Sequence, residues 1–254
     1  MIREQRIEYI LNELKTHNVV SVAELTRALN TSRSTIHRDL SILEEQKKLK
    51  CIRGGAAPLL PQASFEPVYM ARKDSNVEEK RRIAQVAVEF IQENDTIILD
   101  SGTTVLELAK LLKNFKNLYL VTNDLHEAME LASNPDSTLL VLGGLLRHNY
   151  YAVNGMFAEE ILKQIHADIT FLSADAIDLD VGFMGFSLEE LQSKRLMVAA
   201  SQKTIVLCDH SKFSSIAFAN IASFKDVDMI ITGKEVDPHI LQKLQDMDVQ
   251  VLTV

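Results

Sequence analysis

Through the first 45 residues the apolar positions recur at helical spacing. Ile7, Ile10, Leu11 and Leu14 mark a first helix, Val22, Leu25 and Leu29 a second, and Ile36, Leu40 and Leu43 (i, i+4, i+7) a third. The punctuation agrees with the period. Ser21 followed by Glu24 is a capping box, in which each side chain satisfies an orphan backbone donor. Asn30-Thr31-Ser32 supplies a turn and a second N-cap. On the third helix Ser34, His37, Arg38 and Ser41 share a polar face away from the apolar stripe. Ile52-Arg53-Gly54-Gly55-Ala56 then reads as a glycine-tipped hairpin. Short amphipathic helices by themselves describe any small bundle. Two helices with a tight turn and a wing, in that order, describe a winged helix-turn-helix, whose second helix fits the major groove of DNA. The residues expected to face DNA are Ser32, Arg33, Ser34, Thr35, His37 and Arg38, with Arg53 and Gly54 of the wing.

The pattern changes twice further on. Residues 58–75 hold Pro58, Pro61 and Pro67 and no regular period, and read as a linker. From residue 76 a second domain runs to 254, with short apolar runs alternating with amphipathic ones. The runs are 96–99, 118–121, 139–142, 169–172, 204–207, 229–231 and 249–252. Near-continuous apolar strands separated by helices predict a mainly parallel, doubly wound sheet. The fold expected is therefore a small α+β winged helix-turn-helix domain over 1–57 followed by an α/β domain.

In such sheets ligands bind beyond the carboxyl ends of the strands. Five successive ends carry polar or glycine turns. The first is Asp100-Ser101-Gly102-Thr103-Thr104, running straight into a helix; its plain reading is a Ser/Thr-capped helix start, and its functional reading is a phosphate cradle. The others are Thr122-Asn123-Asp124, Gly143-Gly144 with Arg147 close behind, Ser173-Ala174-Asp175-Ala176-Ile177-Asp178, and Asp209-His210-Ser211-Lys212-Phe213. Glu190 and Lys194 stand at i, i+4 and read equally as a surface ion pair or as ligand contacts. Tyr150 and Tyr151 read as a cover for a sugar face or as half-buried packing. The effector-site candidates are Asp100, Ser101, Gly102, Thr103, Thr104, Thr122, Asn123, Gly144, Arg147, Asp175, Asp178, Glu190, Lys194 and Lys212.

Charge and composition narrow the function. Residues 1–60 hold ten Lys and Arg against seven Asp and Glu, a net +3, whereas the rest holds 17 against 28, a net −11. A basic head on an acidic body confines nucleic-acid contact to the head. Cys51 and Cys208 form neither a disulfide framework nor a metal pair, and the seven histidines show no HExxH spacing, so neither a metal site nor a cofactor is expected. The charged start shows no signal peptide and no apolar run is long enough to span a membrane, which points to a cytoplasmic protein without a membrane partner.

Together these motifs resemble bacterial transcriptional regulators of the DeoR family over essentially the whole chain. The head matches S-x-x-T-I-R-R-D-L at Ser32 to Leu40 and the G-G-A wing at Gly54 to Ala56. The body matches D-S-G-T-T at Asp100 to Thr104, V-T-N at Val121 to Asn123 and G-G-x-x-R at Gly143 to Arg147. It also matches E-x-x-x-K at Glu190 to Lys194 and D-x-S-K-F at Asp209 to Phe213. The resemblance implies a body similar to ribose-5-phosphate isomerase, a phosphorylated sugar or polyol as effector, operator DNA as partner, and a homo-oligomer, dimer or tetramer. It implies a repressor of a sugar or polyol operon. The chain departs from the family at His37, Cys51 and Arg53, and at Ser173 and Ala176, where glycines are usual. An isomerase-like enzyme with an accessory DNA-binding head is the alternative. Such isomerases carry D-G-A-D, however, and Leu172 stands here in place of the first carboxylate, which argues for binding without turnover. A purely architectural DNA-binding oligomer, its pocket closed by Ser173 and Ala176, is a third reading.

Overall fold

The computed structural model describes residues 2–17, 20–46, 48–52, 54–57, 66, 67, 69–214 and 216–254. The chain divides into two compact units, residues 1–71 and 72–254. In the first unit the helices are α1 (Arg3–His17), α2 (Val22–Ala28) and α3 (Arg33–Glu45), and a three-stranded sheet joins β1 (Val20–Ser21), β2 (Lys50–Ile52) and β3 (Gly55–Ala57). The predicted stripes close one core: Ile10, Leu14, Val22, Leu25, Ile36, Leu40 and Leu43 are all buried together. The capping box at Ser21 forms with both of its bonds. Asn30 takes the left-handed conformation that ends α2 (φ 45°), and Ser32 caps α3 through Thr35 N–H.

Helix α4 (Tyr69–Asp74) starts in the first unit and runs into Arg72, the first residue of the second; most of the remaining stretch read as linker, 58–65 and Val68, lies outside the described residues. The order then runs α5 (Val77–Ala87), β4 (Thr96–Leu99), α6 (Thr103–Leu112), β5 (Tyr119–Thr122), α7 (Leu125–Leu131), β6 (Thr138–Val141), β7 (Leu145–Leu146), β8 (Val153–Asn154) and α8 (Met156–Leu162). It continues through β9 (Ala167–Leu172), β10 (Ala176–Asp178), β11 (Gly182–Gly185), α9 (Leu188–Ala199), β12 (Ser201–Leu207), β13 (Ala219–Ala222), β14 (Met229–Thr232), α10 (Pro238–Asp246) and β15 (Val251–Thr253).

All seven predicted strands enter one parallel sheet, in the order β15-β14-β12-β9-β4-β5-β6. Helices cover both faces. Ile97 and Leu99 of β4 pack with α5 and α6. Ile98, between them, points to the other face and packs with Ala158 of α8 and Met197 of α9. Two features had no signature in the apolar pattern: the antiparallel sheet β10-β11-β13 and the ribbon β7-β8. The chain moves outward from β4 through β5 to β6, then returns to lay β9 against the other side of β4. The switch point, the place at which such sheets bind ligands, therefore lies between β4 and β9.

Candidate functional site

The head presents a polar helix surface held from behind. Ser34, His37, Arg38 and Ser41 are exposed on α3, as is Arg33 at its first turn. Ser32 Oγ accepts from Thr35 N–H at 3.2 Å and bonds the hydroxyls of Ser34 and Thr35 at 2.8 Å, so it serves the start of the helix first. Asp39, on the buried side, accepts from Arg6 of α1 at 2.8 Å and faces Arg3 at 3.7 Å, which pins the recognition helix to the first helix. Gly54 turns the wing at φ +87°. A Cβ on Gly55 would stand 2.0 Å from Val20 O, so β1 requires glycine there to pair with β3. Arg53 lies outside the described residues.

At the switch point a buried network joins the ends of β4 and β9. Asp100 Oδ2 accepts from Ser173 N–H at 2.8 Å, from Ser173 Oγ at 2.7 Å and from Lys194 Nζ at 2.5 Å. Lys194 also donates to Ser173 Oγ at 2.8 Å. Burial alone would lower the Lys194 pKa, but Asp100, Glu190 and Asp175 together raise it, so the amine stays charged. A Cβ on Gly102 would lie 2.5 Å from Ser173 Cβ: the glycine is needed because Ser173 fills the space beside it. Ala176 sits in a small apolar cluster with Met184 and Ala217.

On the β5 side Ser101 N–H donates to Asn123 Oδ1 at 3.0 Å and Ser101 Oγ to Asp124 Oδ2 at 2.7 Å. Asp124 caps α7 through His126 and Glu127 N–H, and Asn123 donates to Asn154 Oδ1 at 3.2 Å. Thr122 Oγ1 donates to Glu127 Oε2 at 2.7 Å. Burial, and then the charge of Asp124, pushes the Glu127 carboxyl well above the usual range, and burial raises Asp124 as well. Thr104 is buried and Thr103 half-buried at the start of α6.

Three cations, each beside a carboxylate, stand on the neighbouring elements. Arg72 donates to Asp175 Oδ1 at 2.9 Å, and Phe186 N–H to Asp175 Oδ2 at 3.2 Å. Arg147 donates to Glu190 at 2.9 Å and lies 3.9 Å from the centre of the Tyr150 ring. Gly144, at φ +153°, lets the ribbon close on Asn154 O, which a Cβ would meet at 2.3 Å. Lys212 follows β12 in a 3-10 turn, and its charge acts on both Asp175 and Asp209.

Several expectations change on this evidence. Glu190 and Lys194 are buried rather than a surface pair, and their hydrogen bonds go to Arg147 and Asp100 respectively. Asp178 sits at the tip of the β10–β11 hairpin, where it accepts from the N–H groups of Asp180 and Val181, and its described bonds do not join the Asp100 network. Tyr151, at φ 65°, packs edge-on against His126. Arg72, Glu127 and Asn154 were not among the candidates, and Asp124 was read only as part of a polar strand end. Arg72 lay in the stretch read as linker, and Glu127 and Asn154 announce themselves only by whom they meet in space. Among the described residues one group, Glu79, Asp209 and His210, brings possible metal-ligand atoms within 4.8 Å. Its carboxylates are already engaged: Glu79 accepts from His210 N–H at 2.7 Å, and Asp209 from Asn76 Nδ2 at 2.9 Å and Ser211 N–H at 3.0 Å.

Comparison with known proteins covers both units. A DeoR-like helix-turn-helix domain matches residues 6–60 and a DeoR C-terminal sensor domain residues 75–234. The HTH-type transcriptional regulator GolR of Listeria innocua is 35% identical over 247 residues, spanning 97% of each chain. The glycerol-3-phosphate regulon repressor of Escherichia coli is 33% identical over 251 residues, 99% of each chain. Among solved structures, ribose 5-phosphate isomerase from Plasmodium falciparum is a partial likeness, with 22% identity, 54% of this chain and 52% of that chain, and a TM-score of 0.39. Among the described residues no helix is long and apolar enough to cross a membrane.

Proposed function

The chain belongs to the DeoR family of transcriptional regulators, and we propose that it is a repressor released by a phosphorylated sugar or polyol bound at the switch point of its body. Its relatives are named as regulators or repressors, not enzymes, and it is a DNA-binding regulator of the same kind. The observation that carries the ligand reading is the linked polar network at the ends of β4, β5 and β9. Hydroxyls of Ser101 and Thr103, the helix start at Gly102, and the cations Arg147 and Lys212 converge on strand ends that a parallel sheet reserves for ligands. The name of the Escherichia coli relative supports a three-carbon or larger phosphorylated polyol as the class.

In this reading Arg33, Ser34, His37 and Arg38 meet operator DNA, with phosphate contacts setting position and base edges setting sequence. Ligand binding changes operator affinity by as much as it favours one arrangement of heads over another. A dimer or tetramer would place two heads on successive half-sites. The exposed Leu145, Met156, Phe157 and Leu188 support an association surface on the body.

A second reading, an architectural DNA-binding oligomer without ligand, is favoured by Ser173 filling the space beside Gly102. One experiment separates the two. Thermal shifts are measured in phosphate-free buffer with phosphorylated and unphosphorylated sugars and polyols. A ligand at ~100 times its Kd adds ~2.7 kcal/mol. The same compound should then weaken operator binding in anisotropy titrations, and Lys212→Ala and Thr103→Ala should keep DNA binding and lose the response. No shift with any compound leaves the architectural reading.

A further inference from the structure

The first residues of the body are wired into the turns at the strand ends. Arg72 opens the second unit and bonds Asp175, 103 residues later, at 2.9 Å. Its guanidinium also lies 5.4 Å from the centre of the Tyr150 ring, the ring that carries Arg147 at 3.9 Å. One tyrosine therefore bridges two guanidiniums, each bonded to a carboxylate, Asp175 or Glu190.

Behind Arg72 the chain is locked. The buried Lys80 donates to the carbonyls of Arg72 and Ser75, where α4 ends. Asn76 bonds Asp209 and Glu79 bonds His210, both just beyond β12. The segment 72–80 is thus tied to the turns that follow β9 and β12.

Asp175 is held among cations. Burial pushes its carboxyl up, but the charges of Arg72, Lys212 and Lys194 outweigh burial and hold it below the ordinary range. Lys194 is paired with Asp100 and Lys212 acts on Asp209 as well, so Arg72, at 2.9 Å, is the cation bonded to Asp175 itself and the one able to exchange it for another anion. A guanidinium can exchange a carboxylate for the two-pronged contact that a phosphate monoester offers.

We infer that Arg72 is a ligand-site residue: with Arg147 it takes the anionic group of the effector, and its exchange of Asp175 for that group acts directly on the residue to which the connector from the DNA-binding head is joined. This rests on the proposal that the body binds a phosphorylated effector at these strand ends. It supplies what that proposal needs, a set of contacts that differs between the free and bound states.

The test uses the full chain with inorganic phosphate, glycerol 3-phosphate and ribose 5-phosphate as probes, read by calorimetry and by backbone hydrogen exchange. In the unaltered protein at least one probe should bind and slow exchange at 72–80 and 147–151 together. In Arg72→Gln the affinity should fall roughly tenfold or more, and Arg72→Lys, which keeps the charge but loses the fork, should not restore it. Tyr150→Leu should weaken binding and uncouple the two exchange signals; it serves as the second variant if Arg72→Gln melts without a cooperative transition. Unchanged affinity and an unchanged exchange pattern in Arg72→Gln would overturn this inference and leave the ligand reading standing. An unaltered protein indifferent to all three probes would overturn both.

Discussion

Lys194→Met tests whether the pair beneath the switch point is internal structure. Asp100 is fully buried and Lys194 is 3% exposed. Among the described residues Asp100 Oδ1 has no hydrogen-bond partner, and the charge is answered at Oδ2 by two groups of Ser173 and by Lys194. Removing the lysine leaves a buried carboxylate with two neutral donors. Breaking a buried pair this way costs roughly 3–5 kcal/mol. On a urea slope of ~2 kcal/mol/M, a loss of ~4 kcal/mol lowers the unfolding midpoint by ~2 M. With no tryptophan in the chain, far-UV circular dichroism follows the transition. The head unit, which contains neither residue, is the internal control. Asp100→Asn with Lys194→Met should recover most of the loss, because the pair is removed together and no lone charge stays behind. If Lys194→Met unfolds at the wild-type midpoint and loses only its response to effector, Lys194 faces solvent and ligand, and the reasoning from burial is wrong.

Three further outcomes are expected. Gly102→Ala should destabilise the body by roughly 1–3 kcal/mol but be tolerated when Ser173→Gly removes the clashing Cβ; the next neighbour, Asp100 O, is 3.8 Å away. Equal losses in both backgrounds, in paired melts, would mean another cause. Glu127 holds a proton in the folded body that the unfolded chain releases above about pH 4.3. Its contribution is therefore full below that pH and is lost as pH rises through the folded value. Glu127→Gln should remove this fall, so that urea midpoints of variant and wild type diverge as pH rises; parallel pH profiles would contradict it. Arg38→Ala should weaken operator binding by roughly 1–3 kcal/mol, selectively against one base position if it reads a base edge and uniformly if it contacts phosphate. Anisotropy with operator and scrambled duplexes decides between the two, and no loss on either duplex would remove Arg38 from the interface.

Much of the molecule was legible in the chain because its causes are local. Ser21, Glu24 and Ser32 satisfy backbone groups within three residues, and the period of Ile36, Leu40 and Leu43 decides which side of α3 is buried. The inner strands announced themselves as short apolar runs because both of their faces are covered, and the edge strands β6 and β15 carry the same runs although most of their residues are exposed. Period says which faces are hidden and not which strands are neighbours. Only the folded sheet sets β4 beside β9 and brings Asp100 to Ser173 and Lys194. Glu190 and Lys194 feel each other's charge, as a spacing of four permits, but their hydrogen bonds go to Arg147 and Asp100, which only the fold brings near. Asp178, in the run that carries Asp175, is drawn off to cap a hairpin that no apolar period encoded. Arg72 carried no signal among the prolines of its surroundings, because what defines it is a carboxylate 103 residues away. The sequence by itself determined the recognition helix, its caps, the strands and the polar character of their ends, since each follows from neighbours along the chain. The tertiary structure alone decided which of those ends form one site, since an ion pair is chosen by distance through space and by the water that burial removes.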